Sequence, residues 1–309
     1  MAAIRLARRR MQQIAVIGGG LMGAGIAQTF AAAGYPVTVC EPDVTARSTV
    51  RERIATNLRA IGADASAADL VDTTADLEAA VEAADYVTEA APERLELKRG
   101  LFAQLVRAAP VAAILASNSS VIPIGRIAEG LASADRIVGT HWWNPAPLIP
   151  LVEVIQGAQT SAATVAITMT LLQRIGKRPA HIRKDVAGFV ANRLQHALWR
   201  EAIAMVAAGV CDAATLDACV KDSFGLRLPV LGPLENADMV GLDLTLDIHR
   251  TIIPELDRHA GPHEYLTAQV TAGRLGFKSG SGFRSWTEPQ MNELRARLTQ
   301  HLVTAARTR

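Results

Sequence analysis

Glycines 18, 20 and 23 fall in the spacing G-x-G-x-x-G directly after the apolar run Ile14-Ala15-Val16-Ile17. In that context each has its own task. Gly18 permits a sharp turn, Gly20 lets the backbone approach a pyrophosphate with no Cβ in the way, and Gly23 allows a helix to pack close on a strand. A helix starting near Leu21 then directs the free N–H groups of its first turn, those of Leu21 and Met22 among them, at the phosphates. Glu41 ends the next apolar run, eighteen residues beyond Gly23, close to the offset expected of a ribose-binding carboxylate. A carboxylate there accepts from both ribose hydroxyls and repels a 2′-phosphate, which favours NAD over NADP; Arg47 is the nearby cation that could offset the repulsion.

A second pair of residues could move a proton. His141 closes one apolar run and Glu153 is embedded in another, Pro150–Ile155, with a turn over 144–150 between them. If the two runs are adjacent strands, the side chains meet. Removing a hydride from an alcohol requires a base for the hydroxyl proton, and imidazole suits the task near neutral pH; a carboxylate beside it fixes one tautomer and stabilises the cation. Taken alone, His141 reads more readily as a satisfied core histidine. His181, His196, His249 and His263 have no matching partner, and Cys40 reads as a small buried strand residue. Arg51, Arg53 and Arg59 read as a solvated helix face.

These residues need a scaffold, and the chain supplies one in alternating segments. Strand-like runs at 36–41, 86–89, 113–117 and 136–141 are separated by helical composition such as Leu95–Ala108, the pattern of a mostly parallel sheet covered on both faces. Beyond Asp185 the strand signals stop, and 190–208, 214–220 and 234–253 carry helical spacing. The expected fold class is an α/β N-terminal Rossmann domain at 11–184 followed by an all-α domain at 185–309, with the boundary near Arg183–Val186. Residues 1–10 are basic without an apolar core and are expected to be a frayed leader.

Composition narrows the partners. The 309 residues are 50% hydrophobic, long enough for two packed domains, and the net charge of +2 lacks the basic excess that nucleic acid requires. No apolar run reaches the ~20 residues that span a bilayer. Three scattered cysteines, Cys40, Cys211 and Cys219, build neither a disulfide framework nor a metal cluster and fit a reducing cytoplasm. No metal site is expected.

Further segments, Ala84–Glu93, Ala116–Ser120, His141–Pro145 with Val152–Ile155, Asp185–Arg193, and Gly232–Glu235 with Asp238–Asp243, resemble the L-3-hydroxyacyl-CoA dehydrogenase family in order and wording. The resemblance implies that His141 is the catalytic histidine and Glu153 its carboxylate, and that Ser120 and Asn192 bind the reacting oxygen or fix histidine and substrate. It sets Glu93, Lys98 and Asn118 near the cofactor, the first two by the nicotinamide ribose, and Asn144 in the histidine loop facing substrate. Trp142 and Trp143 either line the substrate pocket or pack between the domains. The implied reaction is oxidation of a 3-hydroxyacyl-CoA to the 3-oxoacyl-CoA, within fatty acid metabolism, by a homodimer that uses NAD. The segment 45–72, however, contains no lysine for the nucleotide end of coenzyme A, so its arginines would have to serve. The stretches 223–243 and 276–283 are also similar to relatives that act on free acids, the gulonate, carnitine and pyridine-carboxylate dehydrogenases. A non-catalytic role like that of lens lambda-crystallin, which shares the fold, is the remaining alternative.

Overall fold

The computed structural model describes residues 12–307, so the expected leader lies outside the described residues. Strands and helices alternate: β1 (Ile14–Ile17), α1 (Leu21–Ala32), β2 (Val37–Cys40), α2 (Val44–Ala60), β3 (Val71–Thr74), α3 (Leu77–Val81), β4 (Tyr86–Glu89), α4 (Leu95–Ala108), β5 (Ile114–Ser117), α5 (Ile124–Ile127) and β6 (Ile137–Trp142). They are followed by β7 (Leu151–Ile155), α6 (Ala162–Arg174) and β8 (Arg178–Ile182). All eight strands form one sheet in the order β3-β2-β1-β4-β5-β6-β7-β8. The chain reverses its winding between β1 and β4, and in such sheets the crevice beyond the carboxyl ends of the strands is where ligands bind.

The inner strands β1, β4, β5 and β6 are buried at every position, as a sheet covered on both faces demands. β6 and β7 are antiparallel, so the turn over 143–150 folds the chain straight back onto its neighbour. β3 and β8, absent from the expected strands, are the two edges. Three of the four residues of β3 are polar, and β8 contains Pro179, a residue that sheets tolerate at their edges and that hides the strand signal.

The chain divides into two compact units after Asn192, and the segment from Gln300 belongs with the first. The boundary falls a few residues beyond the expected one because 185–191 is tied to the sheet unit. Asp185 accepts from the Gly125 amide, the Gly188 amide donates to the Val121 carbonyl, and the Val190 and Ala191 amides donate to Glu153. The helix α7 (Ala191–Ala207) leads out of this segment. The second unit, Arg193–Thr299, is helical, with α8 (Ala213–Lys221), α9 (Pro233–Val240), α10 (Leu242–Ile252), α11 (Glu264–Thr271) and the start of α12 (Glu288–Arg307). The expected continuous helix over 234–253 is two, because Gly241 takes φ +104 between them. No helix among the described residues is long and apolar enough to cross a membrane.

Candidate active site

The glycine turn does what its spacing predicts. Gly18 has φ +106, and a Cβ there would stand 2.9 Å from the Ala90 carbonyl oxygen. At Gly23 a Cβ would fall 1.8 Å from the Gly18 carbonyl oxygen, so only glycine lets α1 sit this close to the end of β1. At Gly20 nothing lies within 4 Å of the Cβ position, which leaves the free space that a pyrophosphate needs above the first turn of α1. Leu21 and Met22 open that helix, and Gly20 gives it no side-chain cap.

Glu41 follows β2 and is fixed by two backbone amides, Gly19 at 2.8 Å on Oε2 and Asp43 at 3.0 Å on Oε1. Each oxygen keeps a further lone pair, so the carboxylate is held against the glycine turn and can still accept from a ribose diol. Arg47 Nη1 donates to the carbonyls of Glu41 and Pro42, which draws that side chain back onto the backbone beside the carboxylate. The residues present therefore fit NAD.

His141 and Glu153 stand directly opposite each other in the β6–β7 pair, and His141 Nδ1 lies 2.8 Å from Glu153 Oε2. Both are buried. The other carboxylate oxygen of Glu153 accepts from the Val190 and Ala191 amides, at 3.0 and 3.1 Å, at the start of α7. Burial alone would raise the Glu153 carboxyl, but the bonds from His141, Ala191 and Val190 outweigh it and hold the pKa below the ordinary carboxylate value. The ionised carboxylate cannot donate, so Nδ1 carries a proton, and in the neutral imidazole the lone pair is therefore on Nε2. The imidazole is walled by Trp143, with ring centroids 5.3 Å apart, and by Phe189 at 5.7 Å. Phe189 is fully buried at φ +50, an uncommon conformation for a bulky residue that turns the chain into α7.

Ser120 and Asn192 come together, the Asn192 Nδ2 donating to the Ser120 carbonyl at 3.0 Å. Ser120 is presented by a loop wrapped around Glu93, whose Oε1 accepts from the Ser119 hydroxyl and the amides of Ser120, Val121 and Ile122. Burial works against the charge on Glu93, yet these donors and Lys98 keep its carboxyl below the ordinary value. Lys98 has partners within the protein. It is fully buried; its ammonium donates to Glu89 at 2.6 Å and to the Ala91 carbonyl at 3.2 Å and pairs with Glu93 at 3.4 Å. Lys98 thereby holds Glu89 and Glu93 in place. Asn118 accepts from the Trp142 amide at 2.9 Å and so ties the end of β5 to β6. Asn144 is exposed in the turn after His141. Trp142 is an interior residue, packed on Phe30, whereas Trp143 belongs to the site.

Sequence reasoning passed over Glu89, Phe189 and the amides of Val190 and Ala191. Glu89 carried a signal, a carboxylate ending a strand that is otherwise buried; the amides carry none, since a backbone donor has no residue type. The other three of the four arginines of α2 fare differently from one another. Arg51 is bound to the Val71 carbonyl and Asp72, Arg53 donates to the Gly19 carbonyl, and Arg59 faces the solvent side of a groove with Arg51 and Asp69. Cys40 is buried, and burial together with Glu41 and Asp76 pushes its thiol up to about 11.

A dinucleotide cradle and a buried histidine–carboxylate pair at the same end of one sheet define a nicotinamide-dependent dehydrogenase acting on a hydroxyl. Comparison with known proteins gives the narrower placement. Residues 13–186 match the model of the 3-hydroxyacyl-CoA dehydrogenase NAD binding domain, and 188–286 match that of the 3-hydroxyacyl-CoA dehydrogenase C-terminal domain. The chain is 34% identical, over 96% of its length and 98% of the other's, to the 5-formyl-3-hydroxy-2-methylpyridine 4-carboxylate 5-dehydrogenase of Mesorhizobium japonicum. A crystal structure of an enzyme of that name, described as an NAD+-dependent dismutase, superposes with a TM-score of 0.89 at 33% identity, covering 97% of this chain and 98% of the other. The (S)-3-hydroxybutyryl-CoA dehydrogenase of Ralstonia eutropha superposes with a TM-score of 0.75 at 32% identity, over 90% of this chain and all of the other. The chain belongs to the 3-hydroxyacyl-CoA dehydrogenase family, and it is an NAD-dependent dehydrogenase.

Proposed function

We propose that the protein oxidises the hydroxyl of a compact, free hydroxy acid, or of a hydrated aldehyde on such an acid, with His141 as the general base. The observation that carries the base assignment is the 2.8 Å bond between His141 Nδ1 and Glu153. It leaves Nε2 to take the hydroxyl proton while Glu153 stabilises the imidazolium. NAD, when bound, supplies the hydride acceptor. Ser120 and Asn192 bind the reacting oxygen, and Asn144 faces the rest of the substrate.

The substrate class follows from the arginines. A coenzyme A thioester needs cations for its phosphates, and of the four on α2, Arg47, Arg51 and Arg53 already have internal partners. The greater likeness to the pyridine-carboxylate enzyme than to the thioester enzyme supports the same choice. The 3-hydroxyacyl-CoA reading is retained as the competing one because the family as a whole carries that name. A homodimer is supported by apolar side chains that α10 leaves exposed, among them Leu242, Leu246 and Ile252. The test is NADH absorbance with a panel of free hydroxy acids and 3-hydroxyacyl thioesters: turnover of an acid that His141→Ala abolishes supports the proposal, and undiminished turnover in that variant removes the base assignment.

A further inference from the structure

Lys177 directly precedes β8 and is 6% exposed. Among the described residues it has no carboxylate partner. Its Nζ donates to the carbonyl of Ala146, to Ile149 at 3.0 Å and to Pro147 at 3.3 Å, and it lies over the Trp142 ring, 5.4 Å from the centroid. A desolvated ammonium without a counter-ion is expensive, so its retention calls for a use. All three carbonyls belong to one segment, the turn over 143–150 that joins β6 to β7 and separates His141 from Glu153. At the start of this turn Trp143 packs against the His141 ring. In its middle, Ala146 and Pro147 press on α1 at Gly25, where a Cβ would approach them to 3.2 and 3.3 Å. The turn therefore touches the imidazole at one end and the dinucleotide helix further along, and Lys177 is the group that gathers it.

We propose that Lys177 is a positioning residue: its three N–H donors hold the turn over 143–150 in the shape that seats Trp143 on His141 and Ala146–Pro147 on α1. This rests on the dehydrogenase reading above. A neutral amine has two donors for three carbonyls and loses the charge that the carbonyl dipoles and the indole face favour, so deprotonation slackens the turn. Burial lowers the ammonium to about 8, and no charged side chain among the described residues pairs with it; the groups around it are the Trp142 indole and the backbone of 146–149. The effect on global stability has the opposite sign. Because the folded pKa lies below the ordinary 10.5, the unfolded chain binds more protons between the two values, and this group's contribution to stability rises with pH there. Activity falling while stability holds is the signature of a positioning role.

Two measurements test it. Tryptophan emission of the full chain without substrate, titrated from about pH 6.5 to 9.5, should show a transition with a midpoint near 8 that disappears in Trp142→Phe and in Lys177→Met. In the same range, kcat for hydroxyl oxidation at saturating NAD should descend to about a tenth of its plateau one unit above that midpoint. Lys177→Arg, which stays charged, should remove the descent while keeping activity near neutrality within about tenfold of wild type. A flat wild-type emission titration overturns the proposal, as does a descending limb that persists unchanged in Lys177→Arg. The emission arm needs neither substrate nor turnover and decides even if Lys177→Met does not fold. A chain that shows the transition but oxidises no hydroxy acid sinks the functional reading and leaves this one standing.

Discussion

Glu153 divides its two carboxylate oxygens between His141 and the start of α7: Oε2 holds Nδ1, and Oε1 holds the amides of Val190 and Ala191. Glu153→Gln presents either an amide N–H₂ to a nitrogen that must itself donate, or a carbonyl with the N–H₂ turned onto two backbone donors. One arrangement reverses the imidazole tautomer and the other breaks the anchor. Turnover should fall by roughly 10²–10⁴-fold with the affinity for NAD changed little. Single-turnover kinetics beside NAD titration separates the two; a variant within about threefold of wild type would show that the pair is structural.

Much of this arrangement was legible in the sequence, because period and residue type carry it. The run Ile14–Ile17, the glycine spacing and Glu41 fix the cradle, and the two apolar runs flanking 143–150 place His141 opposite Glu153. What escaped was carried by groups with no residue signature or by contacts across many residues. The Val190 and Ala191 amides that anchor Glu153 are backbone, Pro179 disguises β8, and Lys177 reads as an ordinary surface lysine until three carbonyls are found around it. The bonds that Lys98 makes to Glu89 and Ala91 and its pairing with Glu93 were likewise out of reach, since they join residues through the fold.

Gly20 and Gly23 should separate binding from folding. A Cβ at Gly23 meets the Gly18 carbonyl at 1.8 Å, so Gly23→Ala should cost about 1–3 kcal/mol or prevent folding. A Cβ at Gly20 meets nothing, so Gly20→Ala should leave thermal stability within about 0.5 kcal/mol of wild type and weaken NAD roughly tenfold or more by filling the phosphate space. Equal NAD affinity in wild type and Gly20→Ala would show that the pyrophosphate lies elsewhere.

Glu41 is expected to supply cofactor choice as well as affinity. Glu41→Ala removes both ribose acceptors and the repulsion of a 2′-phosphate, so NAD should bind roughly tenfold more weakly while the preference over NADP narrows. Fluorescence titration of both reduced cofactors checks this, and a wild-type protein that prefers NADP defeats it outright.

Acid should destabilise the sheet unit through Glu153 and Glu93. Both folded carboxyls lie below the ordinary value of 4.5, so the unfolded chain binds the proton more readily; the stability they contribute is present above that pH and is lost as pH falls through it. Thermal melts from pH 7 down to about 3 should therefore steepen below about 5, and Glu93→Gln with Glu153→Gln should start less stable and fall less steeply. Parallel curves for wild type and the double variant would mean that other carboxyls control acid unfolding.

Substrate size turns on the arginines of α2. If a free hydroxy acid is the substrate, nothing of it extends past α2, because its reacting carbon must lie within reach of both His141 Nε2 and the nicotinamide and only a few atoms remain. Arg51 is already paired with Asp72 and Arg53 with the Gly19 carbonyl, so removing the remaining charge on this face should cost the reaction little. We expect kcat/KM for the best free acid to exceed that for a 3-hydroxybutyryl thioester by about 10²-fold or more, and Arg51→Gln with Arg59→Gln to leave both KM and kcat for the acid within about twofold. The converse pattern is equally distinct: a thioester as the better substrate, with KM raised in that double variant and kcat kept, is the loss of uniform binding expected when phosphates lean on those side chains. That result would install coenzyme A as the carrier and require Arg51 to leave Asp72 when the substrate binds.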